Sequence, residues 1–318
     1  TDINGNLQQT YFNLFSMLVS GSKVSNGSDG LFDAYGRLRV SQVKTLMDIT
    51  HTFDNGSLMI DEKLIGGATP STYNINQSSI ITSITLPGHK IIRQSRKYCI
   101  YQPGKSLLIN FTCILNAYPG GNDKYSASSV GYFNDSNGYF FKYSDKLLKI
   151  VYRTKNSDFV VDDEIPQSSW NLNTLSSLSN GYILNPTRIQ LYFIDLQWSG
   201  VGRVRLGIVH NGQYIFCHEF LHDNIVDKVY ISNANLPLRH ELFSIIPSPP
   251  IPIPSTINAK CKFICSSIIS EGGYDPIGVT FSASRDLIPK LVSTIAVSYT
   301  HLRAHETGRN LVCRLLLE

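Results

Sequence analysis

The chain has 318 residues, enough to bury a sizeable core in one large or two medium domains. Charged residues make up 16% of it, against roughly 25% in an ordinary soluble domain, so its solubility depends on Ser, Thr, Asn and Gln. The net charge of +4 is spread without a run of like charges, which excludes a basic nucleic-acid-binding tail, and no apolar stretch is long enough for a membrane-spanning helix.

Residues 1–32 are predicted to form a short N-terminal arm. LQQTYFNLFSMLVSGS is the one stretch with helical character, and the Gly/Ser-rich SNGSDG follows it. The opening TDINGN lacks both an initiator Met and the basic and apolar regions of a signal peptide. We therefore expect the natural start to lie upstream, without a signal peptide at this position.

From Leu38 onward the sequence has the pattern of successive β-strands. Short runs of β-branched and aromatic residues are each bounded by Gly, Pro, Asn or Asp, and no comparably long stretch has apolar residues at helical spacing. The chain is therefore predicted to be all-β, an antiparallel, jelly-roll-like β-sandwich over residues 33–246. The main runs are SSIITSITL (78–86), KSLLINFTCIL (105–115), KLLKIVYRT (146–154), RIQLYFIDLQW (188–198), VGRVRLGIV (201–209) and QYIFCHEF (213–220).

Three hairpin turns are predicted, at Asn137-Gly138, Ser199-Gly200 and Asn211-Gly212, because Gly and Asn readily adopt the positive φ angles that tight turns need. The stretch PSPPIPIPS (247–255) cannot be an internal strand, because proline lacks the backbone donor, so it is predicted to be an extended crossover. Residues 256–296 then resume strand character and are predicted to return to the sandwich. The six cysteines include no CxxC pair and are interpreted as small apolar core residues with free thiols.

His218, Glu219 and His222 match the HExxH signature of zinc metallopeptidases. That signature requires a helix, which places both histidines on one face as ligands and the Glu beside the metal-bound water. Here the motif begins six residues after the Asn211-Gly212 turn, inside a predicted strand, where the two histidines would lie about 13 Å apart. The favoured interpretation is a strand end with two ordinary histidines, and no metal or other cofactor is predicted.

The cluster HKIIRQSRKY (89–98) interleaves cations with apolar residues. A nucleic-acid-binding module would need Arg93, Arg96 and Lys97 on one exposed face, with Tyr98 or Tyr101 beside them. Alternation on a strand with one solvated face explains the same pattern, so nucleic acid is not predicted as a partner. Arg93, Arg96 and Lys97 remain candidate surface contacts, together with a tyrosine beside the first predicted turn, Tyr139.

Carboxylates recur near aromatic residues, as in Asp195 near Trp198 and Asp162 to Glu164 before Trp170. A glycosidase would need such a pair at a fixed separation in a groove. The interpretation favoured here is a solvated loop for Asp162 to Glu164 and a buried, hydrogen-bonded Asp195 in a strand.

Eight strings, taken as a set, are similar to a known protein family. The strings are DAYGRLRVSQ (33–42), RQSRKYCIYQPGKS (93–106), VGYFNDSNGYFF (130–141), IPQSSWN (165–171), DLQWSGVGRVRLGIV (195–209), CHEFLH (217–222), NLPLRHEL (235–242) and CSSIISEGGYDP (265–276). They resemble uncharacterised virion-associated proteins encoded by tailed bacteriophages and other large DNA viruses, over residues 33–285. The resemblance implies a place in a virus particle and carries no catalytic residues.

The last 22 residues, VSYTHLRAHETGRNLVCRLLLE (297–318), differ in composition from the rest of the chain. Back-translated, they resemble one reading frame of a sequencing adapter, with Gly308 to Asn310 at the position of a variable index. We therefore expect a non-native tail that packs poorly, and native strands cut off before their end, with an unpaired strand edge near 279–296.

These observations predict a viral structural protein, a tail, fibre or capsid-surface component located in the virion, and in the host cytoplasm during assembly. Its expected partners are other virion proteins and further copies of itself, and a host-surface glycan is a candidate ligand for its aromatic-rich loops. No enzymatic activity is predicted. The alternative is a glycan-cleaving or zinc-dependent hydrolase on the same β-sandwich scaffold.

Overall fold

The computed structural model describes residues 42–118, 123–155, 158–176, 182–245 and 254–274. The predicted N-terminal arm, nearly all of the Pro-rich crossover, the strand edge expected near 279–296 and the adapter-like tail lie outside these residues. In the part of the chain that is described, no helix is long and apolar enough to cross a membrane.

The described residues form two antiparallel sheets that face each other, so the predicted all-β, jelly-roll-like sandwich is confirmed. Short 3-10 turns at Ile75–Gln77, Asp123–Tyr125 and Gln167–Ser169 interrupt the strand pattern. The strands are β1 (Lys44–Thr50), β2 (Ile60–Ile65), β3 (Thr72–Asn74), β4 (Ser79–Ile84), β5 (Lys90–Ser95), β6 (Leu107–Ile114), β7 (Ser126–Phe133), β8 (Gly138–Ser144), β9 (Leu147–Thr154), β10 (Val161–Pro166), β11 (Gln190–Leu196), β12 (Val204–His210), β13 (Gln213–Phe220), β14 (Leu238–Ser244) and β15 (Ala259–Ser270).

The chain alternates between the two sheets, which brings distant segments side by side. The eight-stranded sheet has the order β13-β12-β11-β6-β15-β4-β3, and β1 also pairs with β15. The seven-stranded sheet has the order β10-β9-β8-β7-β14-β5-β2. β15 is long enough to pair with β4 through Ala259–Phe263 and with β1 through Cys265–Ser270, while β6 runs along its other edge.

The three predicted turns connect adjacent strands as expected. Asn211 and Gly212, with φ of 50° and 76°, join β12 to β13, as a two-residue hairpin requires. Ser199 and Gly200, with φ of 38° and 79°, lie in the β11–β12 connection. The β7–β8 connection spans 134–137, and Gly138, with φ of 137°, begins β8.

Side-chain alternation builds the core between the sheets. In β11, Tyr192, Ile194 and Leu196 are fully buried in the main apolar cluster, whereas Asp195 points to the outer face of the sheet. Tyr and Phe supply much of the core, so several hydroxyl groups are buried with it.

Two of these buried hydroxyls have contrasting surroundings. The Tyr132 hydroxyl donates to the Ala234 carbonyl at 2.9 Å and accepts from the Leu236 amide at 3.0 Å. It thereby joins β7 to the segment that precedes β14. The equally buried Tyr192 hydroxyl has no hydrogen-bond partner among the described residues.

Five of the six cysteines lie in the described residues, and all five are free thiols. Cys99, Cys113, Cys217 and Cys261 are buried, as the sequence predicts, and Cys265 is partly buried. Burial raises the pKa of the Cys99 thiol to about 11 and that of the Cys217 thiol to about 12. Burial likewise raises the pKa of Cys261 to about 12, so these thiols are protonated at neutral pH.

Candidate functional site

The HExxH segment lies at the end of β13 and in the turn that follows it. Gln213–Phe220 is a strand, so His218 and Glu219 are extended rather than helical, and the helix that the zinc alternative requires is not formed at this segment. Among the described residues, no group of three His, Cys, Asp or Glu side chains could hold a metal ion.

Both imidazoles of this segment are held by protein groups. His218 Nδ1 accepts from the Asn171 backbone amide at 3.1 Å. His222 Nδ1 lies 2.7 Å from the Gly202 carbonyl, and its Nε2 lies 3.3 Å from the Tyr139 hydroxyl. Burial lowers the pKa of both histidines. The His218 ring therefore binds the backbone at Asn171, whereas the His222 ring connects Gly202 with Tyr139.

A pairing irregularity in β13 sets the orientation of these side chains. The register between β12 and β13 shifts between Leu206 and Gly207. Strict alternation predicts that Tyr214, Phe216, His218 and Phe220 share a face, and this is wrong. Tyr214 and Phe216 contact Phe193 on the outer face, whereas Phe220 contacts the buried Tyr139 in the core.

The basic cluster does not form a single exposed face. The Arg93 side chain is only 3% exposed and donates to Glu62 Oε1 at 3.3 Å, so its prediction as a surface contact is wrong. The reason is strand parity, because Arg93 lies on the inner face of β5, opposite His240 of β14. Arg96 and Lys97 follow the strand and are exposed, but Arg96 is paired with Asp61 at 2.7 Å.

The tyrosines of the predicted surface are also differently placed. Tyr139 is 1% exposed and stacks on Tyr152 at 5.1 Å, so the predicted surface contact at Tyr139 is wrong. Tyr139 points inward because it shares one face of β8 with Phe141, which packs in the same main apolar cluster. Tyr101 is buried as well, and Tyr98 is exposed and accepts from the Gln94 amide at 2.9 Å.

A polar cleft with a volume of about 230 Å³ opens at one end of the eight-stranded sheet. It lies where β6 begins, β11 ends, β12 begins and β15 ends, because antiparallel pairing places those four termini together. The polar side chains that line the cleft are Lys105, Ser106, Asp195, Gln197, Arg203, Arg205 and Glu271.

The β11–β12 hairpin supplies one wall of the cleft. Asp195 and Arg205 face each other across the two strands, and Asp195 Oδ2 accepts from Arg205 Nε at 2.8 Å and from Nη2. The same guanidinium lies over the Phe216 ring, 4.1 Å from its centroid. Gly202 is required in this hairpin, because a Cβ there would lie 2.0 Å from the Gln197 carbonyl oxygen.

The opposite wall comes from two segments that are far apart in the sequence. The Ser106 hydroxyl donates to the Glu271 carboxylate, and the Glu271 amide donates to the Ser106 carbonyl at 2.9 Å. Asp195 and Glu271 therefore place two carboxylates in one cleft, each held by a donor of this chain.

Arg203 differs from Arg205 in how far its guanidinium group is engaged. Its side chain is 47% exposed, and the nearest oxygen of its ion-pair partner Glu219 is 4.0 Å away, beyond hydrogen-bond range. Its backbone is fixed, because the Arg203 carbonyl accepts from the Gln197 amide at 3.1 Å. The cleft thus combines one committed ion pair, Asp195–Arg205, with the guanidinium of Arg203, which can turn toward a ligand.

Sequence reasoning noted only one residue of this cleft, Asp195, as a buried, hydrogen-bonded acid. The predicted hairpin did not identify Arg205, because a two-residue turn at Ser199-Gly200 would place Asp195 opposite Val204, whereas the longer connection over 197–203 places it opposite Arg205. No local signal marks Ser106 or Glu271, because their approach depends on the pairing of β6 with β15.

No protein-family model matches the chain, and no curated protein matches it. Among solved structures it is similar to the endo-1,3-beta-glucanase from Streptomyces sioyaensis, at 7% identity over 74% of this chain and 98% of that one, with a TM-score of 0.48. It is similar to a glycosyl hydrolase family protein from Mycobacterium fortuitum, at 6% identity over 71% and 99% of the two chains, with a TM-score of 0.44.

The chain is also similar to the binding domain of botulinum neurotoxin DC, solved in complex with rat synaptotagmin II. The identity there is 13% over 73% of this chain and 49% of that one, with a TM-score of 0.40, so the chain spans about half the length of that binding domain. At these identities and TM-scores no residue role is carried over from those proteins, and the function has to be argued from this chain's own side chains.

Proposed function

We propose that the protein is a virion-associated structural protein, a tail, fibre or capsid-surface component, that contacts other virion proteins and binds a host-surface glycan in the polar cleft. The observation that carries the binding role is the cleft itself. Its amide, carboxylate, hydroxyl and guanidinium groups offer both donors and acceptors to a hydroxyl-rich ligand. The virion context is supported by the sequence resemblance over residues 33–285.

Gln197 and Asp195 are the residues expected to bind sugar hydroxyl groups. Gln197 is exposed in the cleft, and its side-chain amide can donate to one hydroxyl while it accepts from another. Asp195 directs both Arg205 bonds to Oδ2, which leaves Oδ1 as a further acceptor. Such groups, positioned on a rigid hairpin, can bind a ligand with little loss of conformational entropy.

Replacement of Gln197 by Ala, or of Asp195 by Asn, is expected to weaken glycan binding by about tenfold, since each change removes one or two hydrogen bonds to the ligand. The measurement is a glycan array followed by titration calorimetry with the best ligand. Asp162→Asn is the matched control, because Asp162 accepts two bonds from Arg153 across β9 and β10, away from the cleft. Binding of no glycan, or equal losses in all three variants, contradicts the proposal.

Gene neighbourhood tests the virion context separately. Genes for portal, tail or capsid proteins beside the coding sequence are expected, and purified particles should contain the chain by mass spectrometry. A neighbouring lysis cassette, with the chain absent from particles, contradicts the structural role and favours an enzyme.

A glycan-cleaving enzyme is the second candidate, favoured by the two carboxylates that share the cleft. Glycosidases use such a pair as acid and as nucleophile or base. If the protein binds without cleaving, labelled oligosaccharides that it binds should stay intact over long incubation. Release of reducing ends that Glu271→Gln abolishes, while Asp162→Asn retains it, would replace the binding role by glycoside hydrolysis.

A further inference from the structure

We infer that the glycan bound in the cleft is an acidic sugar and that the Arg203 guanidinium binds its carboxylate. This inference rests on the proposed glycan-binding function and adds the class of the ligand. It is carried by the charge balance of the cleft, by the engagement of its two arginines, and by the position of Arg203 beside hydroxyl-binding groups.

The charges that line the cleft favour a monoanion. Lys105, Arg203 and Arg205 face Asp195 and Glu271 in the cleft, and Glu219, which is 4.0 Å from Arg203 and pairs with Arg205 across the strands, lies beside it. A carboxylate that replaces Glu219 at Arg203 would add a single negative charge. A dianionic phosphate group would bring a second negative charge next to two carboxylates of the cleft, which disfavours it.

Of the two arginines in the cleft, Arg205 is held by neighbouring side chains and Arg203 is available to a ligand. Arg205 is committed on one side to Asp195, at 2.8 Å from Nε, and on the other to the Phe216 ring. Arg203 is half-exposed, and its contact with Glu219 spans 4.0 Å, so its planar fork can exchange that distant partner for a carboxylate at hydrogen-bond distance. Paired parallel hydrogen bonds from guanidinium to carboxylate are stronger and more directional than those of an ammonium group.

Arg203 is also close to the groups that would bind the rest of the sugar. Its carbonyl accepts from the Gln197 amide, so the two residues stand opposite each other where the hairpin narrows. A sugar ring whose carboxylate pairs with Arg203 would present neighbouring hydroxyls to Gln197 and Asp195. One hairpin therefore provides both the anchor for the charge and the groups for the ring.

The test compares matched pairs of oligosaccharides that differ in one carboxylate, 3′-sialyllactose against lactose and a glucuronate-terminated against a glucose-terminated disaccharide, using the full chain. We expect the acidic member of at least one pair to bind about tenfold more tightly, with an advantage that shrinks as salt rises. Arg203→Ala should reduce that ratio to about one, and Arg203→Lys should keep part of it. Arg96→Ala is the matched control, because Arg96 is a similarly exposed arginine paired with Asp61.

The outcomes separate this inference from the proposed function. Equal binding of acidic and neutral sugars overturns the acidic ligand and leaves glycan binding intact. Tighter binding of sulfated or phosphorylated sugars overturns the assignment to a carboxylate. Binding of no sugar at all overturns the proposed function, and this inference with it.

Discussion

Acidification from pH 7.5 to about pH 4 is expected to lower the free energy of unfolding by about 3 kcal/mol through His51 alone. The His51 imidazole is 1% exposed, and burial, followed by the charge of Arg93, lowers its pKa to about 4, although Asp54 acts in the opposite direction. His240, which stacks on Phe263 between the sheets, has its pKa lowered by burial, by Arg93 and by His51.

The sign follows from the order of the two pKa values. Well above pH 6.5 these rings are neutral in both the folded and the unfolded chain, so they do not make stability depend on pH. Below it the unfolded chain takes up protons that the folded chain excludes, and stability falls until the pH passes the folded value near 4 for His51. The other charged groups nearby are Arg93, which disfavours both imidazolium ions, and its partner Glu62.

Urea denaturation between pH 7.5 and about pH 4 measures this loss. His51→Gln and His240→Gln, singly and together, are expected to reduce the slope of stability against pH. His210→Gln is the control, because His210 stacks on Tyr182, away from the Arg93 cluster. A double variant that retains the full slope of the parent protein would show that other groups cause the acid sensitivity.

Replacement of Tyr132 by Phe is expected to lower the free energy of unfolding by about 3 kcal/mol. The change keeps the ring but leaves the Ala234 carbonyl and the Leu236 amide without their partner in the core, and each unsatisfied buried group costs about 1–3 kcal/mol. Thermal and chemical denaturation at pH 7.5 give the value.

Tyr192→Phe provides the matched control for this change. The Tyr192 hydroxyl is equally buried but has no hydrogen-bond partner among the described residues, so its removal relieves a desolvation cost. We expect Tyr192→Phe to be neutral or to stabilise by about 1 kcal/mol. Equal destabilisation by both substitutions would mean that the lost packing of the hydroxyl oxygen, rather than its hydrogen bonds, determines the effect.

The sequence predicts the strands and turns well, because both depend on local patterns. Asn211-Gly212 and the alternating runs beside it specify a hairpin from a few adjacent residues. The order of strands within each sheet, in contrast, cannot be predicted from local patterns. The insertion of β15 between β6 and β4 joins segments more than a hundred residues apart, and no local pattern encodes that pairing.

Errors about individual side chains have two physical causes. A one-residue bulge changes the faces of His218 and Phe220 relative to Tyr214, and alternation alone cannot locate a bulge. A polar side chain is also not always exposed. Arg93 is buried because Glu62 lies beside its guanidinium group, and Tyr139 is buried with its hydroxyl group 3.3 Å from His222. The cleft was missed for a third reason, since two of its walls meet only in the assembled sheet.

The free cysteines give this fold a set of internal reporters of local opening. A protonated, buried thiol reacts with an alkylating reagent only when the structure around it opens, so its labelling rate measures the free energy of that opening. Cys217 in β13 and Cys261 in β15 lie in an edge strand and a central strand of the same sheet. Their relative labelling rates would show whether the sandwich frays from its edge or opens as a single cooperative unit.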